Sequence, residues 1–513
     1  MQAIATRLNY LFRSTRGLVL VAIATVALIT AIWGTLSGPM VEWGVRDITV
    51  KLLGMDLQAA QREGRLIILY HAIAITVIAI EVYFITELLP MKRWEQVFIN
   101  ATITIGYLLV AIFGLAFAYF GHNYAFHGLF LVGQSLVFFA GVLLAYALWP
   151  WRKDARLPKD SPYAHTKSGI DLERAAFFVM VVATLASAIW GAVPGSFWTN
   201  GQETFLAEDI IRLPHKTYLQ KAVIGHLHIM LTLVAVAITL IVGRWMDFKG
   251  VLHKIAMPMM IFGTIVTTTG ALSVVWLEWA HTTIYVGSTF IMLAALFYVI
   301  YSWNKLIQDR IAELGIEKPT FFQKIAALVH DPLKFGTGWQ MVFMNFTVSG
   351  VGIFLAVKLE DIFRVWPHRE ERITLTGHWH ILAGLIATII LLYYGDLSGL
   401  KGKIRKWYGW LIIIGSDVAF ASATIFSMKR LFVSEYAQQP MVDTVMLLMD
   451  LGLGLVLIIL GIFMAWRLID LFKGNGVWRK EFQDEKKRTA EAELREQQQK
   501  IEELQATLAE VSQ

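Results

Sequence analysis

Apolar residues run along the chain in stretches of about the 20 residues that a helix needs to cross a hydrocarbon core, and short polar loops separate them. The pattern predicts twelve transmembrane helices, at 17–36, 65–90, 97–120, 125–149, 173–194, 219–243, 255–276, 282–303, 340–357, 374–394, 408–428 and 443–468. The run at Leu18–Leu36 is too long for a signal peptide and lacks a small-residue cleavage site, so it reads as a retained helix. Lys and Arg concentrate in Met91–Gln96, Arg152–Lys167, Arg244–Lys254, Lys305–Lys334 and Lys401–Lys406, which all fall on the side of the amino terminus. The positive-inside rule then places both termini in the cytoplasm of a cell whose inner membrane holds the chain. Longer mixed-charge loops at 37–64, 195–218 and 358–373 face the other way.

After the last span the chain turns polar from Glu481 to Gln513, with Leu494, Ile501, Leu504 and Leu508 at helical spacing. The expected organisation is therefore a cytoplasmic segment 1–16, a membrane domain 17–470 and a cytoplasmic amphipathic or coiled-coil tail 471–513.

Composition agrees: 56% of the 513 residues are apolar and 16% charged, too few polar groups to cover a soluble globule of this length. The net charge of +6 is spread over loops at membrane ends, which fits contact with a lipid bilayer and argues against nucleic acid. With no cysteine the chain holds no disulfide, iron–sulfur cluster, covalent c-type haem or thiolate-bridged copper pair.

Chemistry is expected at the histidines. Ala31-Ile32-Trp33-Gly34 recurs as Ala188-Ile189-Trp190-Gly191, and each leads to a histidine-bearing helix. His71, His226 and His378 follow at separations of 155 and 152 residues, which predicts three pseudosymmetric units of four helices. His71, His226, His228, His281, His378 and His380 are expected at one depth, whereas His165, His253, His330 and His368 are assigned to loops and His122 and His127 to a polar turn. In His226-Leu227-His228 and His378-Trp379-His380, residues two apart point to opposite sides of a helix, so each pair can serve two metal centres. Glu278 and His281 share a face if their segment is helical. The plain alternative for any one of these histidines is a hydrogen-bonded packing residue.

These residues resemble subunit I of the heme–copper oxidase superfamily, which includes oxygen and nitric oxide reductases. The similarity spans 15–470. It implies that His71 and His380 bind a low-spin haem, His378 a high-spin haem of b type, and His226 with His281, in Trp279-Ala280-His281, a second metal. It also implies that Lys429 and Arg430 lie near haem propionates.

Two positions depart from the pattern. Thr282 stands where a second adjacent histidine is expected, and Met230 where oxygen reductases carry tyrosine. The second metal, copper or non-haem iron, then depends on His228 turning inward through local unwinding, or on Glu278 joining His226 and His281. The implied activity is reduction of a diatomic substrate, nitric oxide before oxygen. Its electrons come from a cytochrome c-type subunit of a larger membrane complex or from quinol. The alternatives are a non-catalytic haem-bearing electron-transfer subunit and a cofactor-free membrane protein. Glu81, Glu87, Asp417 and Asp450 are further ionisable residues within spans.

Overall fold

The structure is a computed structural model that describes residues 2–197 and 204–511. Its regular secondary structure is entirely helical among these residues. Twelve helices are long and apolar enough to span a membrane: Thr15–Ser37, Arg62–Leu88, Arg93–Tyr119, Tyr124–Ala147, Leu172–Phe197, Tyr218–Trp245, Val251–Ser273, Ala280–Glu313, Pro332–Val357, His368–Leu397, Gly402–Leu431 and Gln438–Phe472. A helix satisfies its own backbone groups, which hydrocarbon cannot do. Each helix coincides with a predicted span. The eighth continues to Glu313, past the predicted end at 303, because the polar stretch after Trp303 keeps a helical pattern.

The second, sixth and tenth spans form the centre, with the sixth packed against both of the others. The twelfth is the least buried; Leu447, Leu451, Ile458 and Ile462 point outward, as lipid-facing residues do. The seventh and eighth spans approach closely because Gly263 and Gly287 meet. A Cβ on Gly263 would lie 2.8 Å from the Gly287 carbonyl oxygen, and one on Gly287 2.3 Å from Thr267 Oγ1. Two spans carry π-helical segments, Val110–Gly114 in the third and Phe343–Val348 in the ninth.

The two ends of the chain meet on one face. The amino-terminal helix Gln2–Arg13 packs on the carboxy-terminal helix Val477–Val511 through Tyr10 and Trp478, whose rings are 5.6 Å apart. Tyr10 donates to Glu481 at 2.6 Å, and Arg7 donates to the Leu471 carbonyl at 2.7 Å. Burial lifts the Tyr10 phenol well above its usual range. Farther out, Leu494, Ile501, Leu504 and Leu508 are exposed.

Candidate functional site

Five of the six histidines singled out in the sequence fall into two classes by how the ring is held. His71 Nδ1 donates to the carbonyl of Ile67 at 2.7 Å, His228 Nδ1 to Ile224 at 2.9 Å and His380 Nδ1 to Thr376 at 3.0 Å. All three bonds run back one turn, from residue i to i−4. A carbonyl only accepts, so Nδ1 carries the hydrogen and Nε2 of the neutral ring keeps its lone pair.

His226 and His378 are seated instead on a preceding helix. His226 Nδ1 donates to the Ser187 carbonyl of the fifth span at 2.8 Å. Gly191, one turn further on, lies against the ring, where a Cβ would come within 2.7 Å of it. His378 lies against Gly352 of the ninth span, where a Cβ would be 3.3 Å from its Cδ2. The histidine repeat therefore has a different register from the expected one: His71 matches His228 and His380 in its bonding, while His226 matches His378 in its glycine seat. None of these five rings, nor His281, has a hydrogen bond at Nε2 among the described residues.

The pairing also differs from expectation. His71 faces His226, with ring centroids 6.3 Å apart and planes within 15°. His71 and His380 make no ring contact; His380 packs on Tyr70 at 6.2 Å, and Tyr70 donates its hydroxyl to Glu208. On the far side of the sixth span, His228 packs edge-on against Trp379 at 5.2 Å, and His378 packs on the same indole at 5.6 Å. The sixth-span residue that shares the Trp379 ring with His378 is thus His228, not His226. No unwinding is needed, since the sixth span is a continuous α-helix. The hydrogen bond to Ser187 turns His226 toward the fifth span, and the residue two further on must then face the other way.

Glu278 does not join His226 and His281. It sits exposed in the turn before the eighth span, and its backbone carbonyl, not its carboxylate, meets His281 Nδ1 at 3.1 Å. Among the described residues no three His, Asp or Glu side chains converge as a metal site. Lys429 is buried and ion-paired with Glu370, and Arg430 lies over the Trp366 ring at 5.9 Å. Two other expectations are corrected. His253 is helical and fully buried, and accepts or donates the 2.7 Å bond to His165 Nε2. His127 lies in the first turn of the fourth span, against Phe117.

Among the remaining intramembrane acids, Glu81 is buried with Oε1 unpartnered. Glu87 pairs with Arg488 of the carboxy-terminal helix at 3.1 Å. Asp417 accepts from Trp339 at 2.8 Å and Gln340 at 2.9 Å.

The sequence reading missed Gly352, Ser187 and the π-helical turn of the ninth span. That turn contributes Val348 to a small cavity of about 10 Å³ shared with Val351, His378, Ile381, Thr424 and Ser427. Only Gly191 carried a signal, as the end of the Ala-Ile-Trp-Gly repeat.

Comparison with known protein families, characterised proteins and solved structures gives no match for this chain. The fit of the residues to haem therefore rests on the site itself. Trp379 Nε1 and Trp190 Nε1 are buried without a hydrogen-bond partner among the described residues, which folded proteins rarely tolerate. Bare Nε2 atoms beside unpartnered donors suit a group that takes nitrogen at its metal and offers acceptors at its edge.

Proposed function

We propose that this chain is a divergent membrane oxidoreductase of heme–copper oxidase type, built from three pseudosymmetric four-helix arcs, that reduces a diatomic molecule. The observation that carries the reading is the packing of His228 and His378 on the same Trp379 ring, with neither Nε2 hydrogen-bonded among the described residues. In this reading His378 would hold a b-type haem, and His228 with His281 would hold copper or non-haem iron. When bound, the metals would pass the donor's electrons to the substrate and supply Lewis acidity.

The chain's own residues fix the geometry. The i−4 hydrogen bond locks the His228 tautomer, Trp379 packs against both His228 and His378, and Val348, Val351 and Ile381 line the small cavity beside His378 together with Thr424 and Ser427. Met230 offers neither the phenol of oxygen reductases nor a carboxylate, and this favours nitric oxide over oxygen. Electrons enter from a cytochrome c-type subunit or a quinol. The chain sits in the cytoplasmic membrane with both termini and the helix Val477–Val511 on the cytoplasmic side, where Lys and Arg concentrate. Arg430, with no carboxylate partner among the described residues, is the stronger candidate for a haem propionate than Lys429, which Glu370 neutralises.

Carbon monoxide tests the reading. The purified, reduced chain is expected to shift its Soret band on adding the gas, and His378→Ala is expected to abolish the shift. A haem-free preparation, or a haem that ignores carbon monoxide, counts against it. The second reading, an electron-transfer subunit without a reaction of its own, is favoured by the two-histidine second-metal set and predicts haem without a carbon monoxide response.

A further inference from the structure

We propose that the distal half of the carboxy-terminal helix joins two copies of this chain, as a parallel two-stranded coiled coil with the same segment of the second copy.

The helix Val477–Val511 has two faces. Its first turns are held to the bundle: Trp478 and Phe482 pack on Tyr10, Glu481 pairs with Arg467, Glu485 accepts from the Thr15 amide at 3.0 Å and Arg488 reaches Glu87. Farther along, the ion pairs of the described residues, Lys487–Glu491 and Glu496–Lys500, stay within the helix. At 100° per residue, Leu494, Ile501, Leu504 and Leu508 are centred roughly 130° round the helix from Trp478, Glu481, Phe482 and Glu485. A helix fixed by the first set cannot turn the second onto the bundle. The four apolar side chains are accordingly between 54% and 68% exposed.

Spacing and charge select what covers them. Leu494, Ile501 and Leu508 recur every seven residues and Leu504 follows three after Ile501, which are the a and d positions of a heptad. Such a narrow seam, with a period of 3.5 residues, fits another helix of the same period. A helix that lies on a bilayer carries Lys and Arg on its polar face. From Glu491 to Gln513 there are instead six glutamates against Arg495 and Lys500, and the anionic lipid of a cytoplasmic leaflet repels them. A second copy brings the matching seam from the same side of the membrane.

The residues beside the seam favour the parallel arrangement. Glu493 and Lys500 take g positions and face Gln498 and Gln505 at e across the seam, so no like charges meet. Arg495, Glu496 and Glu502 fall at b and c, away from the contact. An antiparallel pairing that sets Leu494 on Leu504 would instead place Lys500 opposite its own copy. Gln497, at the d position between Leu494 and Ile501, is a polar residue within the seam that fixes its register.

The chain contains no cysteine, so single-cysteine variants of the full chain report on one position each. In membranes treated with a short bismaleimide, Leu494→Cys, Ile501→Cys and Leu508→Cys are expected to yield a covalent dimer, and Arg495→Cys and Glu502→Cys to remain monomeric on a denaturing gel. In detergent, Ile501→Asp with Leu508→Asp is expected to weaken dimerisation by more than about tenfold in sedimentation. Its melting temperature is expected to stay at the parent value, which separates lost pairing from misfolding. A monomeric parent chain, equal cross-linking at Arg495 and Glu502, or a product that contains a different protein overturns the proposal. Cross-linking that needs Leu494→Cys on one copy and Leu504→Cys on the other overturns the parallel arrangement. The haem reading stands or falls independently of these outcomes.

Discussion

Arg467 and Glu481 form a 2.7 Å ion pair sealed from solvent, which joins the last membrane span to the carboxy-terminal helix. Tyr10 completes the cluster by accepting from Arg467 at 2.6 Å while it donates to Glu481. Removing one member of a buried pair strands the other. Arg467→Ala is expected to cost about 3–5 kcal/mol, seen as a lower melting temperature in detergent and faster proteolysis of Val477–Val511. Arg467→Met with Glu481→Leu, which removes both charges, is expected to recover most of the loss; equal damage in single and double variants would contradict this account.

Gly191 and Gly352 differ in how tightly they hold their histidines. A Cβ at Gly191 would come within 2.7 Å of the His226 ring, against 3.3 Å at Gly352 for His378. Gly191→Ala is therefore expected to displace its ring at about 1–3 kcal/mol, and Gly352→Ala to be much milder. Melting temperature together with haem content per chain reads both effects. A more harmful Gly352→Ala would refute the ranking.

Asp417 holds two donors within the bundle, from Trp339 and Gln340. Asp417→Leu is expected to cost about 1–3 kcal/mol for each donor left without a partner, and Asp417→Asn, which keeps one carbonyl, less. Urea midpoints of the three proteins in detergent would order them; an Asp417→Leu protein as stable as the parent would refute the role.

His165 lies in the loop before the fifth span, where burial first and Lys254 second hold its imidazole below the ordinary value, against a smaller opposing pull from Asp171. A proton therefore prefers the unfolded chain. The stabilising contribution is complete above the unfolded value of about 6.5 and is lost as pH falls from there through the folded one. Melting temperature is expected to drop between pH 7 and pH 5, and less steeply in His165→Gln. Parallel slopes for the two proteins would exclude His165 as the source.

All twelve spans were legible because each hydrophobic run matches the thickness it must cross. The facing of side chains was not. Periodicity states that His226 and His228 oppose one another, but the choice of which meets His378 is made by the Ser187 carbonyl, far away in sequence and carrying no side-chain signature. His253 was misplaced for a similar reason. Its flanks, Lys249 and Lys254, read as a loop, yet Gly250 adopts φ of 80° and starts the helix directly, which buries the imidazole against Tyr163 and Phe248.

His226 and His228 hang from one rigid rod, so any roll of the sixth span acts as a seesaw. Turning it to bring one imidazole nearer its neighbour carries the other away from its own. Natural variation in this helix must therefore keep its angular setting fixed and place its changes elsewhere, on the outward faces of the surrounding ring.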